Sequence, residues 1–324
     1  MLSTTLTILI PVLFVLLLGY FAWRMKAFDA EQVTGINELA LDFALPASLF
    51  VGIVSIPRTQ LEQDASLVFA VFVALVGLYL ISLFVGMRLL RLPTTAAAIF
   101  ALAASFPAAP FFGPAVLGGL FGKSSAAAIA STAIIANLVL VPLTVVVLEA
   151  ASRVRYPNVS ASTGNASAKV TMGTVIQNSL LHAVRQPYVW APLVALMLVL
   201  AGIHVPLLIT SMLNLIGETT SGVSLFVGGL LLAAYSLRLN RAVALDVTLK
   251  SLIQPLLLFG MIALLGIPNP LAREGVVAAA LPSAVIAPML ASRYKTYEAE
   301  AGSTMLLTTV FMMLVVPASM FLTR

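Results

Sequence analysis

The sequence contains no cysteine and only two histidines, His182 and His204, in 324 residues. Disulfides, thiol nucleophiles and cysteine-ligated metals are thereby excluded, and a metal site could draw on no more than two imidazoles. Charge is scarce too. Asp, Glu, Lys and Arg make up 9% of the chain, against about 25% in soluble domains. No nucleophile–base pair suggests an enzyme. No complete G-x-x-x-x-G-K-S/T phosphate loop and no H-E-x-x-H metal motif occurs, so nothing points to direct use of ATP, a metal or a cofactor. What replaces these residues is apolar: 61% of the chain is hydrophobic, more than a soluble core can hide. The net charge of +5 is carried by basic residues scattered singly between apolar runs. That is a membrane-orientation pattern and not a nucleic-acid stripe.

A helix needs about 20 apolar residues to cross the hydrocarbon core, and runs of that order recur. They predict ten transmembrane helices: Leu6–Trp23, Ile36–Ile56, Ala65–Met87, a long run within Leu92–Gly122, Ser124–Leu148, Pro187–Ile203, Leu207–Leu237, Ser251–Ile267, Arg273–Ser292 and Ala301–Thr323. The first is read as a retained helix, because Met1–Thr7 has no Lys or Arg and no small-residue cleavage site precedes a soluble domain. Residues 150–185 are polar and form a linker between a first half, 1–149, and a second, 186–324. This loop is too short for an independent domain, which counts against a receptor or sensor with a folded output module.

Lys and Arg set the orientation. With the N-terminus outside, 13 of the 17 basic residues fall on the cytoplasmic side and Arg58, Lys123, Arg273 and Arg324 fall outside. Both termini are therefore expected on the outer side of an inner (plasma) membrane. Trp23, Tyr188, Trp190 and Tyr235 then lie near the cytoplasmic interface, where amphipathic rings are favoured.

The chain also repeats itself. Ser48-Leu49-Phe50-Val51-Gly52 recurs as Ser224-Leu225-Phe226-Val227-Gly228, an offset of 176 that also places Asp42 on Glu218 and Pro11 on Pro187. Val141-Pro142 matches Val316-Pro317 at an offset of 175. Helices 1–5 thus correspond to helices 6–10. Because five is odd, the halves are upside down relative to each other, as in many secondary transporters.

The fourth and ninth helices hold equivalent places in the halves, and both are interrupted by proline. One carries Pro107, Pro110 and Pro114 after Ser105, with Gly113 between; the other carries Pro282, Ser283 and Pro288. Proline removes a donor and frees a carbonyl one turn earlier. Unpaired backbone at membrane depth is tolerated where it lines a cavity or is buried in protein. Two broken helices crossing near the midplane would gather half-helix N-termini, with free N–H groups and partial positive charge, around one point. Such a site suits an anion without a buried Lys or Arg, and the predicted spans place none at mid-membrane. The plain alternative is a pair of proline kinks.

Glu38 lies near the inner surface, one turn before Asp42; Asp42 and Glu218 are the carboxylates singled out within predicted spans. An ionisable group there is costly, so each is a candidate for proton or ion coupling; the alternative is a helix contact hydrogen-bonded to Ser48, Thr219 or Thr220. Asn137 in the fifth helix and Thr308 in the tenth occupy equivalent helices beside the crossover and could line a pocket, or simply bond neighbouring helices.

Several motifs together resemble the auxin efflux carrier family, which includes plant PIN carriers and bacterial malonate and malate permeases. They are Leu45-Pro46-Ala47-Ser48-Leu49-Phe50, Phe111-Phe112-Gly113-Pro114-Ala115-Val116-Leu117, Gln186-Pro187-Tyr188-Val189-Trp190-Ala191-Pro192, Ala291-Ser292-Arg293-Tyr294 and Thr308-Thr309-Val310. The resemblance implies a fold related to bile-acid symporters and sodium–proton antiporters. Helices 1, 2, 6 and 7 would be a scaffold with a homodimer surface, and helices 3–5 and 8–10 a moving transport domain. It also implies elevator-type transport of a small organic anion such as a mono- or dicarboxylate, with the crossover of the fourth and ninth helices at the substrate. The candidate substrate residues read from the two breaks are Ser105, Pro107, Pro110, Gly113, Pro282 and Ser283, with Asn137 and Thr308 beside them. Where the family often has Asn beside Gly in the fourth helix, this chain has Pro107-Ala108-Ala109-Pro110, so backbone N–H groups, Ser105 and Ser283 would have to orient a carboxylate. A cation-coupled symporter or cation/proton antiporter on the same scaffold is the rival reading. It would be expected to place acidic residues beside the crossover, whereas Asp42 and Glu218 lie on the second and seventh helices.

Overall fold

The computed structural model describes residues 2–55, 65–155, 185–234 and 237–323. Most of the expected linker, with His182, and also Arg58 and Tyr235 lie outside the described residues. The described chain is helical, and its one β-type contact is an isolated antiparallel bridge between Pro107 and Ser283.

Helix α1 is Leu2–Arg24, α2 is Ala30–Val54 and α3 is Ala65–Arg88. The fourth helix is split into α4a, Thr94–Ser105, and α4b, Ala109–Phe121. Helix α5 runs through Ala126–Ile135, Ala136–Leu140 and Val141–Arg155. Helix α6 is Pro187–Leu200; α7a, Leu207–Gly217, is followed by α7b, Thr219–Ala234. Helix α8 is Arg241–Leu265. The ninth is split into α9a, Leu271–Ala279, and α9b, Ile286–Arg293, and α10 is Glu298–Leu322. Among the described residues five helices are long and apolar enough to cross a membrane: α2, α3, Ala127–Ala151 of α5, α8 and α10. Their outward faces are apolar, with Phe84 61% and Leu314 69% exposed; such side chains suit lipid and not water.

Local chemistry explains the ends. Asp29 caps α2 by accepting from Gln32 N, while the Gln32 side chain accepts from Asp29 N, a reciprocal capping box. Asn240 caps α8 by accepting from Val243 N. Gly266, at φ 64°, ends α8 in the left-handed conformation that glycine adopts without strain.

Three helices widen by one residue. Ala40–Ala44 in α2, Ala136–Leu140 in α5 and Leu249–Ile253 in α8 are π turns, closed by Leu45 N to Ala40 O, Val141 N to Ala136 O and Gln254 N to Leu249 O. A proline follows each closing residue: Pro46, Pro142 and Pro255. Proline cannot donate and its ring pushes away the carbonyl four residues back. The ladder relieves that clash by opening to an i→i−5 bond. Each π turn carries a polar residue, respectively Asp42, Asn137 and Lys250.

Packing relies on small residues. Helix α4a is buried from Thr95 to Ser105, with six alanines in that stretch, which lets α3, α8 and α10 approach it closely. Helix α1 lies on α7b through glycines: a Cβ on Gly19 would sit 2.1 Å from Phe226 O, and one on Gly229 2.1 Å from Leu16 O. Helix α6 packs on the second half of α2. The helix starts differ from the sequence expectation at one place that matters. Helix α8 begins ten residues before Ser251, at Arg241, because Asn240 caps it. Asp246 and Lys250, expected in a cytoplasmic loop or at its edge, are instead buried inside a helix, at 0% and 1% exposure. A buried Lys therefore reaches the helix break at Ala279, where the predicted spans place no basic residue.

Candidate functional site

The two helix breaks cross each other. After Ser105 the chain extends at Phe106, φ −96° and ψ 101°, before α4b starts at Ala109. Ala108 N donates to Pro282 O at 2.8 Å and Ala284 N donates to Phe106 O at 3.1 Å, with Pro107 opposite Ser283. The residues that flank the bridged pair, Ala108 and Ala284, are thus the donors across it, and neither proline has to supply an N–H. Each break thus satisfies backbone groups of the other, the condition for irregular chain inside an apolar protein.

Four helix ends converge here. The N-terminal ends of α4b and α9b follow the crossing strands, and the carbonyl ends of α4a and α9a precede them. The carbonyl ends are met from α8. Gln254 Nε2 donates to Ser105 O at 2.6 Å, and Lys250 Nζ donates to Ala279 O at 3.0 Å and to Gln254 Oε1. Asp246, one turn earlier, accepts from Thr304 Oγ1 at 3.1 Å, and its other oxygen, Oδ1, is buried without a hydrogen-bond partner.

On the opposite side, Ser283 N donates to Thr308 Oγ1 at 3.1 Å, and Thr308 in turn donates to Thr304 O at 2.8 Å. The Ser283 hydroxyl is buried and has no partner. It borders a cavity of about 10 Å³, the room of about one water molecule. Leu16 of α1 and Leu225 of α7b close it from one side; Ala108, Phe112, Val285, Met305 and Thr309 close it from the other. A buried hydroxyl without a partner is uncommon because it forfeits a hydrogen bond it had in water.

The structure therefore brings Pro107, Pro282, Ser283 and Thr308 together; Ser105 ends α4a on the α8 side, its carbonyl accepting from Gln254 and its hydroxyl donating to Ala101 O at 2.6 Å. Pro110 stands in the first turn of α4b. Gly113 has no room for a Cβ, which would lie 2.8 Å from Ile129 Cγ1, so it seats α4b against α5. Asn137 is buried, but its amide donates to Ala133 O on its own helix at 2.8 Å. Asp42 is half-buried and pairs with Arg293 of α9b at 2.7 Å, away from the crossing strands. Glu218 is exposed at the α7a–α7b junction. Gln254 is legible in the sequence as a polar residue in an apolar helix, whereas Asp246 and Lys250 fall before the predicted span and carry no predicted role. Their spacing of four puts them on one helix face, and Asn240 as a helix cap would have given the longer α8 that displays it.

The membrane transport protein family matches residues 4–320. Among curated proteins, the uncharacterized transporter YfdV of Escherichia coli (strain K12) is 30% identical over 320 residues, covering 98% of this chain and 96% of its own. The same-named proteins of Escherichia coli O157:H7 and Shigella flexneri match equally.

Proposed function

The chain belongs to the membrane transport protein family, the auxin efflux carrier group whose motifs it bears, and from that premise we propose that it is a secondary carrier of a small organic anion. The observation that carries this reading is Ser283. Its unpartnered buried hydroxyl borders a small cavity beside two half-helix N-terminal ends, while the opposite, carbonyl ends are engaged by Lys250 and Gln254. Electropositive helix ends left facing a cavity favour negative charge. The substrate class is a mono- or dicarboxylate such as malonate, or an auxin-like acid. Its carboxylate would accept from the Ser283 hydroxyl and from backbone N–H groups at the crossing strands.

The cavity lies between two helix groups, which supports an elevator-type motion. Helices α1, α2, α6 and α7 are the fixed group, and α3–α5 with α8–α10 the moving one. The reciprocal packing of α1 on α7b and α6 on α2, together with the two crossed breaks, supports ten spans in two inverted halves. The exposed apolar side chains of α7a, Leu207, Leu208 and Leu215 among them, suit a homodimer contact or lipid. The basic-residue bias supports an orientation with both termini outside an inner membrane. Proton coupling through Asp42 or Glu218 is part of the same reading.

The test is uptake of radiolabelled malonate by purified protein in liposomes under an imposed pH gradient, beside a Pro107→Ala/Pro110→Ala variant. Saturable, gradient-dependent uptake that the variant loses is the expected result. Absence of uptake for malonate and for a panel of monocarboxylates, with folded protein, overturns the anion reading. A second reading, cation-coupled transport, is favoured by one observation, the buried Asp246 beside the crossover; sodium-dependent uptake would select it.

A further inference from the structure

Lys250 and Asp246 are fully buried, on one face of α8, with Gln254 one turn beyond. The Lys250 ammonium is met by oxygens that carry no full charge, Ala279 O and Gln254 Oε1. No ion pair closes between Lys250 and Asp246, and one oxygen of Asp246 has no hydrogen-bond partner. A backbone carbonyl at a half-helix end, an amide oxygen and a carboxylate are the donors a hard monovalent cation takes. In carriers with broken helices, carbonyl ends of this kind are where coupling cations bind. Here a side chain of the protein reaches the same place.

We propose that the Lys250 ammonium is a resident cation of the crossover, standing where an alkali cation would otherwise sit on Ala279 O and Gln254 Oε1, with the Asp246 carboxylate one turn away on the same helix face as its counter-charge. It holds the carbonyl end of α9a directly and that of α4a through Gln254, whose amide reaches Ser105 O. The positive charge then travels with the moving helices and is never exchanged with solution. This inference concerns the crossover's own charge and does not rest on which anion is carried. It goes against sodium coupling at this position: the wild-type protein needs no alkali cation there, and removing the ammonium while leaving space creates a site for one.

The experiment is thermal unfolding of the purified protein in N-methyl-D-glucamine chloride, sodium chloride, potassium chloride or methylammonium chloride at equal ionic strength. The wild type is expected to melt at the same midpoint in all four. Lys250→Ala is expected to melt several degrees lower in N-methyl-D-glucamine and to recover, saturably, in one or more of the small cations; adding Asp246→Asn removes the recovery. Lys250→Met, which fills the space without charge, is expected to melt below wild type in every salt. Saturable stabilisation of the wild type by sodium overturns the proposal, and needs no variant. So does a Lys250→Ala protein whose midpoint is the same in all four salts, or a Lys250→Met protein that melts with the wild type.

Discussion

Arg293 donates a 2.7 Å hydrogen bond to Asp42 across 251 positions of chain, and its other terminal nitrogen donates to Gln186 at 3.2 Å. The guanidinium also lies 5.7 Å from the Tyr188 ring centroid. One side chain of α9b is thus tied to α2, to the start of α6 and to the residue before it. Under the elevator reading these contacts join the moving helices to the fixed ones. Both side chains of the pair are about a quarter exposed, so water screens them and the coupling energy should be about 1 kcal/mol or less. A double-mutant cycle of Asp42→Asn and Arg293→Gln, read by thermal unfolding, checks this. Uptake is expected to change more than stability does; equal uptake in all four proteins would separate the pair from transport.

Ser283→Ala should leave the fold intact or slightly firmer, since it removes a buried hydroxyl that bonds to nothing in the protein. Its cost should appear with substrate. A hydrogen bond to a charged group contributes about 1.5–3 kcal/mol, so KM for the carried anion should rise by about tenfold or more while the melting temperature holds. Unchanged KM would remove Ser283 from the site.

Thr308 behaves differently, because it already has a structural task. Its Oγ1 accepts from Ser283 N, and Thr308→Val leaves that buried N–H unpaired at a cost of about 1–3 kcal/mol. Thr308→Ser restores the acceptor and should recover most of the loss. Equal melting of the Val and Ser variants would show that the backbone there finds another partner.

The close contact of α1 with α7b predicts asymmetry among glycines. Gly19→Ala and Gly229→Ala each drive a Cβ to within 2.1 Å of a backbone oxygen, and a backbone cannot move aside as a side chain can. Each should destabilise by about 3 kcal/mol or more, seen as lost yield or a lowered melting point. Gly118→Ala, with nothing within 4 Å of its Cβ, is the control and should melt with the wild type.

The class of the protein and the place of its crossover were legible in the sequence because they rest on composition and on proline chemistry that acts locally. Pro107 and Pro282 marked the two breaks, and the structure sets those breaks against each other. Lys250 escaped notice because a charge between apolar runs reads as the end of a span. Only its partners on α8 and α9a, 4 and 29 residues away, show that it is enclosed. Asp42 was legible as a charge inside a helix, but its partner is 251 positions away, and nothing local announces such a pair.

The π turns of α2, α5 and α8 carry a consequence of another kind. Each inserts one residue into a helix that otherwise advances about 100° per residue, so the apolar stripe before the turn and the one after it are out of phase by about that angle. Asp42, Asn137 and Lys250 sit inside the slip itself. Their direction is therefore set by a count of residues and not by any one side chain. Deleting a single residue from Leu249–Ile253 would rotate everything beyond it and swing Gln254 off Ser105 without altering one polar group.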